Sequence, residues 1–170
     1  MMISDNLNEI LDTVNIDDNL VGQATRKVCN MNPALIHRAV FVLIYNEQKK
    51  LLWQKRSLTK DINPGQWVFS ASGHVDAGED YREAAYRELY EELGISTKLS
   101  FLGKFLFRYT NESEYSAVFS GSFTGPFNFD KTEISEIAFM TIAEAIQKER
   151  SGHLNLAQPV QLILKALALS

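Results

Sequence analysis

The 170-residue sequence has a single cysteine, Cys29, so neither an internal disulfide scaffold nor a cysteine-built zinc site is available to it. It has no apolar run near the roughly 18–20 residues that a membrane-spanning helix needs. It also lacks a basic excess: 17 Lys and Arg stand against 21 Asp and Glu, for a formal net charge of −4. That balance argues against a binder of polymeric nucleic acid or of membrane surfaces. The opening MMISDNLNEI does not follow the basic-then-apolar order of a secretory leader. No repeat, low-complexity tract or linker rich in Pro, Gly or Ser divides the chain. These absences lead us to expect one cytoplasmic domain over 1–170, with an N-terminal strand-and-turn extension over 1–36 and a core over 37–170. What is present is ordinary globular usage, 45% hydrophobic and 22% charged.

The charge is unevenly placed. From Gly73 to Gly94 seven acids (Asp76, Glu79, Asp80, Glu83, Glu88, Glu91, Glu92) face only Arg82 and Arg87, a net −5, while Lys49, Lys50, Lys55, Arg56 and Lys60 form a basic band just upstream. The periodicity predicts strands at 9–14, 20–23, 38–45, 50–56, 67–70, 99–109, 115–123 and 134–140. Arg38 to Tyr45 is continuously apolar after its first residue, the mark of a strand buried on both faces. Asn46 to Lys49 reads as a hairpin loop, Ser57 to Gly65 as a polar loop, and Gly73 as the opening of another. One or two helical turns are expected at 25–30, and helices at 142–149 and 156–169. The clearest helix is Asp80–Leu93, where Tyr81, Ala85, Leu89 and Leu93 make one apolar stripe and Gly94 a natural stop. Strands with helices at intervals, without strict alternation, predict an α/β fold: a mixed β-sheet sandwiched between helices.

On that helix Glu88 lies three residues before Glu91 and four before Glu92, which places the three carboxylates on one side. Solvated, they repel by a few tenths of a kcal/mol per pair, which Glu83–Arg87 and Arg87–Glu91 pairs offset. A hard divalent cation, with its preference for carboxylate and phosphate oxygens, removes the repulsion outright.

The surrounding residues select the second reading. GHVDAGEDYREAAYRELYEELGI carries Gly73, five residues, Glu79, seven residues, then Arg87-Glu88-Leu89-Tyr90-Glu91-Glu92-Leu93-Gly94-Ile95. At every defined position it resembles the signature of the Nudix hydrolases. Seven fixed identities at average residue usage coincide by chance on the order of once in 10⁸–10⁹ trials. The resemblance implies an α/β/α sandwich whose loop–helix–loop holds Mg2+ (or Mn2+) on a diphosphate. It implies Glu91 and Glu92 as metal ligands with help from the Gly73 carbonyl, and Glu88 as a ligand or as the base that activates water. Arg87 and Glu79 then orient the glutamates by ion pairing. The charge logic agrees, because a carboxylate face alone repels a diphosphate and bridging cations invert that field.

Outside the signature the chain is similar to the isopentenyl-diphosphate isomerase-like branch, from about residue 9 to residue 140. The resemblance rests on Asp18-Asn19, on Val21 through Arg26, on His37-Arg38-Ala39 and on Gln54-Lys55-Arg56-Ser57 with Lys60. Pro64-Gly65-Gln66-Trp67 and Gly73-His74 extend it. It implies Arg56 and Lys60 as contacts to the diphosphate. The isomerase cysteine is replaced by Ser72, and one of three metal-binding histidines by Asn30, while His37, His74 and the acidic pair Glu112 and Glu114 match. Those four residues are either a remnant or a second metal site. Glu136, with Glu133 near the start of the 134–140 strand, is a candidate further glutamate for metal or base. The aromatic residues Trp67, Phe69, Phe107 and Tyr109 are candidates for a pocket wall or for core.

The reading is therefore a hydrolase of small-molecule diphosphates, monomeric or homodimeric, with neither a polymeric nucleic acid nor a membrane as partner. Two alternatives are an isopentenyl-diphosphate isomerase, which Ser72 disfavours, and a non-catalytic nucleotide-binding module, which loss of the signature glutamates would mark.

Overall fold

The computed structural model describes residues 6–60 and 62–169. The start of the expected 1–36 extension (residues 1–5), Asp61 in the polar loop and Ser170 lie outside the described residues. The chain runs β1 (Ile10–Val14), β2 (Leu20–Thr25), α1 (Arg26–Cys29), β3 (Ile36–Tyr45), β4 (Leu51–Arg56), β5 (Trp67–Val68) and β6 (Ala71–His74). It continues through α2 (Tyr81–Leu93), β7 (Ser100–Arg108), β8 (Ser113–Ser122), β9 (Ile134–Met140), α3 (Ile142–Arg150) and α4 (Gln158–Leu169).

β3 is the central strand, and its run of apolar residues serves two cores. Ala39, Phe41 and Leu43 point into one with Trp53, Phe69, Leu154, Val160 and Ile163, so that α3 and α4 cover this face. Val40, Val42 and Ile44 alternate into the other with Ala84, Ala85, Leu89 and Leu93 of α2. The result is the expected α/β/α sandwich around a mixed sheet. Trp67 and Phe69 belong to the first core, and Phe107 packs against it. No helix among the described residues is long and apolar enough to cross a membrane.

One edge of β3 pairs in parallel with β8 along its whole length. The opposite edge is shared by β1 at Ile36, β6 from Ala39 to Val42, and β4 at Tyr45. This departs from a simple hairpin across Asn46–Lys49. β3 and β4 touch at Tyr45–Leu51 and then splay, and β4 pairs with β9 from Leu51 to Arg56. The fork leaves backbone groups inside that need partners. Buried Ser70 supplies them: its hydroxyl accepts from the Ile44 N–H at 2.8 Å and donates to the Leu52 carbonyl at 2.7 Å. The expected 67–70 strand is accordingly only Trp67–Val68. Gly73, expected to open a loop, lies instead inside β6, opposite Val40. The fork between β3 and β4 opens the space that the site occupies.

Candidate active site

The rotation of α2 is fixed from both ends. Asp80 caps it, accepting from the Arg82 and Glu83 N–H groups, while Glu83 accepts in return from the Asp80 N–H at 3.0 Å. Glu83 is thus part of a capping box rather than of a solvated pair with Arg87. Gly94 closes the helix in the left-handed conformation at φ 67°. With Ala85, Leu89 and Leu93 packed on the sheet, the row Ala84, Glu88, Glu92 also turns inward, and Glu91 turns out. Glu92 is 6% exposed, whereas the Glu91 side chain is 59% exposed. The three carboxylates therefore do not share one solvated face.

Glu88 lies directly over Gly73. A Cβ placed at residue 73 would sit 2.1 Å from the Glu88 carboxyl, so only glycine admits this approach. Arg87 organises the surroundings as a fork. It donates to both Glu79 oxygens at 3.0 and 2.8 Å, to Glu88 Oε1 at 2.7 Å, to Glu91 Oε2 at 3.3 Å and to the His74 carbonyl at 3.0 Å. A planar guanidinium meets all of these at once, which an ammonium does not. Glu79 also accepts from the Asp76 N–H at 3.1 Å. Glu92 is held by two donors, Gln54 Nε2 at 2.8 Å and the Ser72 N–H at 3.2 Å.

Burial pushes the Glu88 carboxyl well above the ordinary carboxylate range, and the charge of Glu92 adds to that against the pull of Arg87. Burial likewise raises Glu92, against the opposing influence of Arg56 and Gln54. Glu88 and Glu92 line a cavity of about 160 Å³ together with Ser72, Gly73, Arg56 and Lys60. Arg56 is held by the Ile62 carbonyl, which accepts from its Nε at 2.8 Å, and Lys60 is ion-paired with Glu133. Of the upstream basic band, Arg56 and Lys60 line this cavity with the two glutamates, whereas Lys49, Lys50 and Lys55 do not. Arg87 and Glu79 stand behind its wall. Glu136 is exposed on β9 with Lys55 as its register partner and does not line the cavity, whereas Glu133, in the turn just before β9, does.

The far end of the same cavity gathers His74, Glu9, Arg26, Tyr109, Glu112 and Glu114. Below it His37 is fully buried, its ring 5.2 Å from that of His74 and its Nε2 3.8 Å from Glu114 Oε2. Among the described residues neither nitrogen of His37 has a hydrogen-bond partner. Burial, and then the charges of His74 and Arg26, press its pKa down to about 3, so the ring is neutral near pH 7. Glu114 accepts from Ser116 at 2.7 Å, and burial raises its pKa.

Sequence reasoning missed Gln54, Glu9 and Ser70. Gln54 and Ser70 are polar residues in otherwise apolar stretches. That was their one available signal, because a polar side chain in a buried strand must have a partner. As for a metal, the donors at the α2 end are hard carboxylates, with buried Glu92 and half-buried Glu88 lining one cavity, and this chemistry fits a hard divalent cation. Among the described residues no group of three His, Cys, Asp or Glu already stands in metal-holding geometry, with Glu91 turned toward Arg87.

Residues 35–160 match the family profile of the NUDIX domain. The chain is 40% identical over 118 residues to PA4841, an uncharacterized Nudix hydrolase of Pseudomonas aeruginosa, covering 69% of this chain and 70% of that one. It is 32% identical over 146 residues to an isopentenyl-diphosphate Delta-isomerase of Streptomyces avermitilis, covering 82% and 74%. Among solved structures, DR0079 of Deinococcus radiodurans superposes with a TM-score of 0.80 at 25% identity, over 92% of this chain and 98% of that one.

Proposed function

The chain belongs to the Nudix hydrolase family, and we propose that it is a Mg2+- or Mn2+-dependent hydrolase of a diphosphate linkage in a small metabolite, of nucleoside-diphosphate or other type. One observation carries this reading. Glu92, buried, and Glu88, half-buried, line one cavity with Arg56 and Lys60.

Glu88, Glu91 and Glu92, with the Gly73 carbonyl, would hold the cation. Bound there, it supplies Lewis-acid stabilisation of the phosphoryl oxygens and lowers the pKa of the attacking water. Arg56 and Lys60 bind the diphosphate oxygens and set the phosphorus in line with that water. Glu88 receives the water proton at its carboxylate. Its raised pKa suits a base working near neutrality, and the Arg87 contact fixes which oxygen is turned to the cavity. Arg87 and Glu79 act as positioning residues. Glu136, exposed and outside the cavity, is at most a secondary contributor. On this reading the enzyme would work in the cytoplasm, on a soluble metabolite.

The test is phosphate release from nucleoside-diphosphate sugars, dinucleotides, nucleoside triphosphates and other diphosphates, with Mg2+ and with chelator. We expect turnover of one class that chelator abolishes. Binding without release by any of them would favour a nucleotide-binding module. The similarity to an isomerase supports a second reading, and Ser72 lines the cavity where that reading requires a thiol. A serine hydroxyl is far too weak an acid to replace a thiol. Dimethylallyl diphosphate formed from isopentenyl diphosphate would establish the isomerase.

A further inference from the structure

Gln54 lies behind the cavity wall and reaches the site through Glu92. It is 1% exposed and follows Leu51, Leu52 and Trp53, all buried. Its backbone is fixed on both edges, opposite Val68 of β5 and Ile137 of β9. An amide in such a place needs a partner. Gln54 Nε2 donates to Glu92 Oε2 at 2.8 Å, and the Ser72 N–H of β6 reaches the same oxygen at 3.2 Å. No hydrogen bond among the described residues goes to Glu92 Oε1, and Glu92 lines the cavity.

Glu88 is held in the same manner by a different group, since Arg87 donates to its Oε1 at 2.7 Å. Each inward carboxylate thus has one oxygen tied back. For Glu88 the donor comes from α2 itself, and for Glu92 the donors come from β4 and β6, which share one edge of β3. A carboxylate free to turn offers a cation either oxygen or both, whereas one with an oxygen tied back offers the other in a fixed place. Mg2+ demands near-ideal octahedral geometry, so the fixed oxygen suits it better. The Ser72 donor is backbone, which leaves Gln54 as the one side chain among the described residues that sets Glu92 in this way.

We propose that Gln54 is a positioning residue for the cation site: with the Ser72 N–H it ties back Glu92 Oε2 and turns Oε1 to the cation. This role rests on the reading of Glu88, Glu91 and Glu92 as the cation ligands.

Titration of Mn2+ into the whole, substrate-free chain, followed by the paramagnetic resonance signal of the free ion, tests it beside turnover. Gln54→Met, close in volume and without a donor, should weaken Mn2+ binding about 10–100-fold. The Mn2+ concentration for half-maximal rate should rise by the same factor, and the rate at saturating Mn2+ should fall by less. Gln54→Asn keeps an amide inside but draws it back by one carbon. It should lose Mn2+ affinity as Gln54→Met does, and it carries the test if the Met chain no longer melts cooperatively. Ser70→Ala removes the hydroxyl that bridges β3 and β4 at the same fork, so it should lower the melting temperature and leave Mn2+ affinity unchanged. Equal Mn2+ affinity in the parent and in a folded Gln54→Met or Gln54→Asn chain would overturn the role of Gln54 alone. So would an equal loss in Ser70→Ala, because any damage to the fork would then have the same effect. A parent chain that binds no Mn2+ would overturn the cation reading and this role with it.

Discussion

The two ends of the cavity use the same residue types on opposite terms. At the α2 end each carboxylate has directed donors: Arg87 for Glu79, Glu88 and Glu91, and Gln54 with the Ser72 N–H for Glu92. Even so, burial drives Glu88 and Glu92 toward the protonated form, because loss of hydration outweighs what the donors and nearby cations offset. At the other end, His37 is fully buried, with neither nitrogen bonded among the described residues, and is held neutral. The first end is built to take up positive charge, whereas at the second the His37 ring is kept uncharged beside the Glu9–Arg26 and Glu9–His74 pairs. An end with many donors and residual negative charge is the one where a divalent cation gains most.

The largest expected effect lies at the α2 end. Glu92→Gln should lower metal-dependent turnover by about a hundredfold or more, since it removes a hard ligand whose cation supplies several kcal/mol to the transition state. Glu92 is buried rather than exposed, so the same change also removes a desolvated charge while its amide oxygen still accepts from Gln54 and Ser72. The metal-free variant should melt no lower than the parent. Unchanged kinetics at saturating Mg2+ would erase the distinction between the two ends.

Next comes Arg87→Lys, which cannot serve five acceptor atoms from one plane. It should raise the Mg2+ concentration needed for half-maximal rate by about 10–100-fold, in keeping with loss of a residue that orients metal ligands. Gly73→Ala drives a methyl into the Glu88 carboxyl. It should cost about 1–3 kcal/mol of stability in denaturant melts, together with much of the activity. His37→Gln is the smallest: phosphate release should stay within about threefold of the parent, well under one kcal/mol in barrier. A large loss there would give the histidine end a part in the chemistry.

The two ends also differ in the sign of their pH dependence. Glu88 and Glu92 have folded pKa values above their unfolded ones, so the folded state holds extra protons between the two. Their contribution to the stability of the metal-free protein is present at acid pH and is lost as pH rises toward neutrality. For His37, a folded value of about 3 against 6.5 means the reverse: stability present above pH 6.5 and lost as pH falls. Melting in chelator from pH 4 to 8 should show both slopes. Glu88→Gln should flatten the neutral side, and His37→Gln the acid side.

Local pattern carried most of the fold. The stripe Ala85, Leu89, Leu93, with Gly94 after it, located α2, and the apolar run in β3 announced burial on both faces. What stayed hidden was non-local. The Asn46–Lys49 turn is visible in sequence, but that β4 leaves β3 after one residue pair and joins β9 depends on a strand more than 80 residues away. Spacing placed Glu88, Glu91 and Glu92 near one another, but it did not show that the helix rolls Glu92 under the sheet and leaves Glu91 outside. That roll is set by Ala84 and Ala85, small enough to let the helix sit close. That Glu133 lines the cavity and the expected Glu136 does not follows from the loop pairing Glu133 with Lys60, a contact that no local period encodes.

The most direct test is the proton count on metal binding. Calorimetric titration of Mn2+ into the protein at pH 7, in buffers of different ionisation enthalpy, should show binding coupled to release of protons from the Glu88–Glu92 pair. Glu92→Gln should lose most of both the binding and the release. Metal binding that releases no protons, or that Glu92→Gln leaves intact, would contradict the assignment of this end as the cation site.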